Sequence, residues 1–129
     1  MVDRCVLIVE DDPSVGKLIT TLLRVHGVRT EIAADGLAAL ERLRDETPCL
    51  VVLDLALPRI DGWEILSTLQ QAAREIPVIV VTAHGQGDSA RKAKELGAAY
   101  YFEKPFEPTQ FLAAAQELLA ATDTEPIED

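Results

Sequence analysis

The run of residues 50–53, Leu-Val-Val-Leu, followed directly by Asp54, constrains the fold more than any other stretch. Four consecutive apolar residues of this kind are typical of a strand buried on both faces, as in a parallel sheet covered by helices. Residues 6–9 form a second such run, which ends in Glu10, Asp11 and Asp12. Ligands bind beyond the carboxyl ends of parallel strands, so these carboxylates are predicted to line one crevice. Carboxylates this close repel one another unless a cation lies among them.

Apolar strand patterns alternate with helical patterns along the whole chain. Strands are predicted over residues 4–9, 28–33, 50–55, 77–81 and 99–103, and helices over 13–26, 37–47, 63–73, 88–96 and 108–121. Regular alternation of this kind predicts an α/β fold: a five-stranded parallel sheet with right-handed crossovers and helices on both faces.

The first two helices carry clear signals at their ends and on their inner faces. Asp12 can cap the first helix, Pro13 suits its first position, and Gly27 suits a left-handed stop. Apolar spacing predicts that each helix turns one side toward the core. The predicted inward residues are Val15, Leu18, Ile19, Leu22 and Leu23 in the first helix and Leu37, Leu40 and Leu43 in the second.

Composition narrows the class of protein. A chain of 129 residues with 48% hydrophobic residues suits one domain with a sizeable core. Its net charge of −10 argues against direct binding of nucleic acid, which needs Lys and Arg to neutralise phosphates. Apolar runs are far too short to span a membrane and the N-terminus leads straight into a strand, so a cytoplasmic protein is expected. Cys5 and Cys49 each open a predicted buried strand and are expected to be free thiols used as core filler.

Several short motifs occur in a fixed order at the ends of the predicted strands. They are Glu10-Asp11-Asp12, Asp54 with Leu57-Pro58 and Asp61-Gly62, Thr82-Ala83, and Gly97-Ala98 leading to Tyr101 and Lys104-Pro105-Phe106. Together they make the chain resemble the receiver domain of bacterial two-component response regulators over essentially its whole length. The resemblance implies a flavodoxin-like strand order 2-1-3-4-5. It places the receiver domain at residues 1–121 and leaves an acidic tail at residues 122–129.

The resemblance also implies the chemistry of the crevice. Asp54 would accept a phosphoryl group from a phosphohistidine or a small phosphodonor. Mg²⁺ prefers oxygen ligands, which suits Asp11, Asp12, Asp54 and the carbonyl of Ala56. The family pattern gives Asp12 the direct ligand role, with its acidic neighbour acting partly through water. Asp12 could alternatively serve only as a helix cap.

The remaining motif residues are implied to sense the phosphoryl group. Lys104 would supply a movable positive charge, and Thr82 would hydrogen-bond the phosphoryl group once it is present. Tyr101 would then swing inward, and the output surface would be helix four, strand five and helix five. The resemblance further implies a cis peptide bond between Lys104 and Pro105, although X-Pro bonds are trans by default. Phe106 is expected to serve packing.

Two positions differ from the commoner pattern. Ala56 and His84 lie two residues beyond Asp54 and Thr82, positions that in this family influence how fast water removes the phosphoryl group. Ala56 offers no polar side chain to that water. His84 could position the water or obstruct it, and the sequence leaves both alternatives open.

The leading hypothesis is a phosphorylation-dependent signalling switch of a phosphorelay. It would be a phospho-acceptor with self-phosphorylation and autodephosphorylation, not a conventional enzyme. Its partners would be a sensor histidine kinase or a phosphotransfer protein and an unspecified effector, without membrane binding. One alternative is a receiver-fold interaction module that works without phosphorylation; such a module is expected to lose an acid, the Thr or the Lys, and none is lost here. Another is a metal-dependent phosphohydrolase, which usually needs a second acid just after the nucleophile, where Leu55-Ala56 stands.

The sequence leaves the assembly open. The chain ends eight residues after its last predicted helix, which suits a free-standing regulator, although a domain cut from a longer protein would look the same. One large subfamily dimerises through an acid just before the switch aromatic and an arginine in the last helix. Tyr100 occupies the first of these positions and residues 110–121 contain no arginine, so that dimer is not expected.

Overall fold

The computed structural model of the chain describes residues 4–72, 75–83 and 87–122. The strands are Cys5–Val9 (β1), Arg29–Ala33 (β2), Leu50–Leu53 (β3), Val78–Thr82 (β4) and Tyr100–Glu103 (β5). The helices are Pro13–Leu23 (α1), Gly36–Asp45 (α2), Gly62–Gln71 (α3), Ser89–Glu95 (α4) and Pro108–Thr122 (α5), with a short 3-10 helix at Arg24–His26. This element order confirms the predicted alternation of strands and helices.

The five strands form a single sheet in the order β2-β1-β3-β4-β5, and every neighbouring pair is parallel. The predicted fold class and strand order are therefore confirmed. Val9 at the end of β1 lies opposite Leu53 at the end of β3, and Leu53 lies opposite Val80 in β4. This register brings the residues that follow β1 and β3 to the same edge of the sheet.

The sheet is covered by helices on both faces, because successive side chains in a strand point to opposite sides. One face carries Leu7, Val9, Val51, Leu53 and Val80, against which the buried side chains of α2, α3 and α4 pack. The other face packs against α1 and α5. The buried side chains there are Val6, Ile8, Leu50, Val52, Ile79 and Val81 from the sheet and Ile19, Leu23, Phe111, Ala114, Ala115 and Leu119 from the helices.

Three aspartates cap the helices that begin beside the acidic crevice. Asp12 accepts a hydrogen bond from the Ser14 amide at the start of α1, at a distance of 2.9 Å. Asp35 caps α2 and Asp61 caps α3 in the same way. Each cap satisfies an amide that has no partner inside its helix, which fixes where the helix begins.

Parts of the predicted inward faces were wrong. Leu18 is 42% exposed and Leu37 is 40% exposed, whereas the buried positions of α2 are Gly36, Ala39 and Leu43. In α2 the reason is close approach: a Cβ atom added to Gly36 would lie 2.0 Å from the Ile60 carbonyl oxygen. Small residues at this contact bring α2 against the β3–α3 loop and turn Leu37 outward.

Smaller differences concern the ends of elements. The first helical segment changes to a 3-10 helix after Leu23 and stops at Gly27, whose φ of 69° is left-handed as predicted. β3 ends at Leu53 and not at residue 55, and α5 extends to Thr122. Residues 123–129, which make up nearly all of the predicted acidic tail, lie outside the described residues. None of the helices in the described part of the chain has the length and apolar character that a membrane crossing requires.

Candidate functional site

Asp54 lies at the first position beyond β3 and is 4% exposed. Its amide donates to the Val9 carbonyl at 2.9 Å, so its backbone is still held by β1. One carboxylate oxygen, Oδ1, accepts a hydrogen bond from the Ala56 amide at 3.0 Å. The second oxygen, Oδ2, faces Lys104. A carboxylate buried to this degree needs a partner for its charge.

Lys104 supplies that partner and bridges two acids. Its Nζ lies 3.0 Å from Asp54 Oδ2 and 2.9 Å from Glu10 Oε1. The lysine leaves the end of β5, where its amide donates to the Thr82 carbonyl at 2.9 Å. The Lys104-Pro105 bond is cis, as the family resemblance implied. Burial lowers the pKa of Lys104, but the hydrogen bonds and charges of Glu10 and Asp54 outweigh this effect and raise it.

Glu10 was predicted from the sequence to line the crevice but was assigned no specific role there, and its side chain does lie inside the crevice. It is 3% exposed, and its carboxylate accepts from the Asp12 amide at 3.1 Å as well as from Lys104. Burial raises the pKa of Glu10, and the nearby Asp54 carboxylate adds to the rise, while the hydrogen bonds from Lys104 and Asp12 oppose it. The raised pKa of Glu10 is therefore mainly an effect of its burial.

In the crevice, three carboxylates of the described residues are placed to hold a metal ion: Glu10, Asp11 and Asp54, whose ligand oxygens lie within 4.8 Å of one another. Three hard oxygen donors, two of them on buried residues, fit the preference of Mg²⁺ for carboxylate and water oxygens. Asp12 is not in this group, because its carboxylate caps α1. The signal was present in the sequence: an Asp directly before a Pro at the first helical position is a cap pattern.

The predicted sensing residues lie at the same end of the sheet. Thr82 is the last residue of β4 and is 3% exposed. Tyr101 in β5 is half-buried beside the α2–α3–α4 face of the core, and its pKa is raised mainly by burial. Phe106 packs against Phe111 with ring centroids 5.3 Å apart, which confirms its packing role. His84 lies outside the described residues.

Comparisons with known proteins identify the family of the chain. The family model described as the response regulator receiver domain matches residues 6–116. The chain belongs to this family: it is a receiver domain of two-component response regulators. This confirms the resemblance drawn from the sequence motifs.

Two curated relatives illustrate the range of proteins that contain such a domain. Sporulation initiation phosphotransferase F of Bacillus subtilis is 37% identical over 119 residues, which are 92% of this chain and 96% of the relative. The DNA-binding response regulator MtrA of Mycolicibacterium smegmatis is 35% identical over 123 residues. This alignment covers 95% of the chain but only 54% of MtrA, so the DNA binding named for MtrA is not carried over.

Solved structures show the same architecture. The signal receiver domain of a putative Luxo repressor protein from Vibrio parahaemolyticus superposes with a TM-score of 0.88 at 27% identity, covering 95% of this chain and 94% of that one. The BeF3-activated receiver domain of RstA from Klebsiella pneumoniae gives a TM-score of 0.82 at 31% identity, covering 90% and 98% of the two chains.

Proposed function

We propose that the chain is a phosphorylation-dependent switch that accepts a phosphoryl group on Asp54. The observation that carries the proposal is one buried carboxylate bound to a lysine and flanked by two further acids. Such a cluster concentrates charge where a phosphoryl group and a cation would both be stabilised. The curated relative named as a phosphotransferase aligns over nearly its full length, which supports transfer of a phosphoryl group in place of hydrolysis of a diffusible substrate.

The reaction we propose is a displacement at phosphorus. A carboxylate oxygen of Asp54 forms a new O–P bond while the P–N bond of a phosphohistidine, or the P–O bond of a small phosphodonor, breaks and keeps its electron pair on the leaving group. The protein contributes mainly position and charge to such a transfer. Lys104, already on Asp54 Oδ2, would move its ammonium to the oxygens of the new acyl phosphate.

We place Mg²⁺ among Glu10, Asp11 and Asp54, with the carbonyl of Ala56 as a further ligand taken from the family pattern. When bound, it would neutralise charge on the phosphoryl oxygens. Asp11 replaces Asp12 as the direct ligand in this proposal, because the Asp12 carboxylate is engaged by the Ser14 amide at 2.9 Å.

Phosphorylation of Asp54 would change the conformation of a surface formed by α4, β5 and α5. Thr82 and Lys104 would follow the phosphoryl group, and Tyr101 would pack inward under α4. A sensor histidine kinase or a phosphotransfer protein would supply the phosphoryl group. This arrangement biases two conformations of one domain, which is how charge-changing switches act.

Intact-protein mass spectrometry after incubation with Mg²⁺ and acetyl phosphate tests the acceptor. We expect the wild type to gain one phosphoryl group and Asp54→Asn to gain none. Asp61→Asn is the matched control, because asparagine also caps helices and leaves α3 intact. Undiminished labelling of Asp54→Asn would refute the assignment of the acceptor.

A second experiment compares Asp11→Asn with Asp12→Asn. Mg²⁺ that binds the folded state raises its stability by mass action. We expect the rise of Tm with Mg²⁺ to be lost in Asp11→Asn and retained in Asp12→Asn. The opposite pattern would restore Asp12 as the direct ligand.

The alternative function is a receiver-fold interaction module that does not use phosphate. It keeps the fold but needs neither the acceptor nor the lysine. Partner binding that is equal before and after treatment with acetyl phosphate, and equal in Asp54→Asn, would favour it.

A further inference from the structure

Two side chains, one near each end of α3, contact helix α4. Near the beginning of α3, the ring of Trp63 lies under the ammonium of Lys92, with 4.7 Å between Nζ and the ring centroid. At the end of α3, Gln70 Nε2 donates to the Glu95 carbonyl at 3.2 Å. A cation over an indole face is the strongest of the common cation–π pairs.

These contacts matter because α4 is short and buries little of its own surface. The helix has seven residues, Ser89–Glu95, and its buried residue is Ala93. Asp88 at its N-cap makes no side-chain capping bond. A helix this short is marginal in water and takes its stability from tertiary contacts. Loss of one contact to α3 therefore changes how α4 is held.

The beginning of α3, next to Trp63, packs against the backbone of Asp54 and Leu55, where Asp54 is the proposed acceptor. The Gly62 amide donates to the Leu55 carbonyl at 2.9 Å. A Cβ atom added to Gly62 would lie 2.5 Å from the Asp54 carbonyl oxygen. Trp63 follows Gly62 in sequence, so a rearrangement of the Asp54 backbone would reach the residue under Lys92 through one peptide unit of α3.

We infer that the Trp63–Lys92 pair is a latch that favours the unphosphorylated conformation and links α4 to the acceptor through α3. The inference rests on the proposed function. The structure shows the unphosphorylated conformation, because Lys104 lies 3.0 Å from Asp54 Oδ2 and forms a direct ion pair with the unmodified carboxylate. The Trp63–Lys92 pair is therefore assigned to this conformation. A latch that belongs to this conformation opposes the phosphorylated one.

The test compares Lys92→Met with Lys94→Met. Both variants lose one positive charge from the exposed side of α4, but only Lys92 lies over Trp63. We expect amide hydrogen exchange in α4 and labelling by acetyl phosphate with Mg²⁺ to be about two- to fivefold faster in Lys92→Met. This range corresponds to the about 0.5–1 kcal/mol of an exposed cation–π pair, at about 1.4 kcal/mol per factor of ten. Lys94→Met should match the wild type in both measurements, and Lys92→Arg, which keeps a cation over the ring, should restore wild-type behaviour.

The outcomes separate the latch from the proposed function. If Lys92→Met and Lys94→Met behave alike in both measurements, there is no latch. Faster exchange in α4 without faster labelling would overturn the link to the acceptor. If the wild type is not labelled at all, the proposed function is refuted, and so is the link between α4 and Asp54. The exchange measurement still decides whether the Trp63–Lys92 pair stabilises α4.

Discussion

Replacing Lys104 with methionine removes the cation that Glu10 and Asp54 share but keeps most of the apolar stem of the side chain. Two carboxylates, with side chains only 2% and 5% exposed, then lose their common partner. We expect the folded state to lose stability at neutral pH in the absence of Mg²⁺, because an uncompensated buried charge is costly.

The magnitude follows from the degree of burial. Removing one partner of a buried ion pair costs about 3–5 kcal/mol. The Lys104 side chain is 17% exposed, and Glu10 can take up a proton, so the low end of this range applies. A loss of about 3 kcal/mol lowers the Tm of a domain of this size by about 10 °C.

The pH dependence has a defined sign. Burial already raises the pKa of Glu10 above 4.5. The part of the stability that comes from its bound proton is therefore present below pH 4.5 and is lost as the pH rises through the folded-state pKa. Lys104 opposes this rise, so the difference between Lys104→Met and the wild type should widen from acidic to neutral pH.

Urea unfolding followed by circular dichroism measures the effect, with and without saturating Mg²⁺. The control is Lys17→Met, which removes an exposed lysine from α1 and should change stability by less than about 0.5 kcal/mol. Mg²⁺ should stabilise Lys104→Met more than the wild type, because the metal replaces the missing positive charge. If Lys104→Met is as stable as Lys17→Met without Mg²⁺, the shared ion pair does not hold the acidic crevice together.

Three further predictions concern the rest of the fold. Burial raises the pKa of Cys5 to about 11, so iodoacetamide at pH 8 should alkylate it about 100-fold more slowly than a thiol of ordinary pKa, as peptide mapping would measure. Gly36→Ala places a Cβ atom 2.0 Å from the Ile60 carbonyl oxygen and should cost about 1–3 kcal/mol in urea unfolding. Ile19→Ala, at a fully buried position, should cost about 2–5 kcal/mol, whereas Leu18→Ala should cost less than about 1 kcal/mol because Leu18 is 42% exposed. Equal losses at positions 18 and 19 would contradict the orientation of α1.

Several features of the chain were readable from local sequence because their causes are local. The apolar runs of β1, β3 and β4 can only be buried on both faces, and this requires helices on each side of a parallel sheet. The cap at Asp12 and the left-handed stop at Gly27 depend on the backbone within a few residues. Placement of Asp54 beyond a strand end followed from strand polarity alone.

What the sequence could not decide were distances between elements that are far apart in the chain. Leu18 and Leu37 fit an apolar helical face, yet both are at least 40% exposed. For α2 the cause is the contact of Gly36 with Ile60, which sets the rotation and depth of that helix. The presence of Glu10 in place of Asp12 among the clustered carboxylates has a similar cause. Local sequence offered three consecutive acids, and only the direction in which the chain leaves β1 determines which of their carboxylates faces the crevice.

The sequence by itself thus determined the fold class, the edge of the sheet where the acidic residues lie and the types of residue found there, because these depend on strand polarity, side-chain alternation and caps. Only the tertiary structure decided that Glu10 and Asp54 share Lys104 and that Lys92 lies over Trp63. These pairings join residues from 29 to 94 positions apart, and no periodicity or local propensity encodes a distance across the packed core.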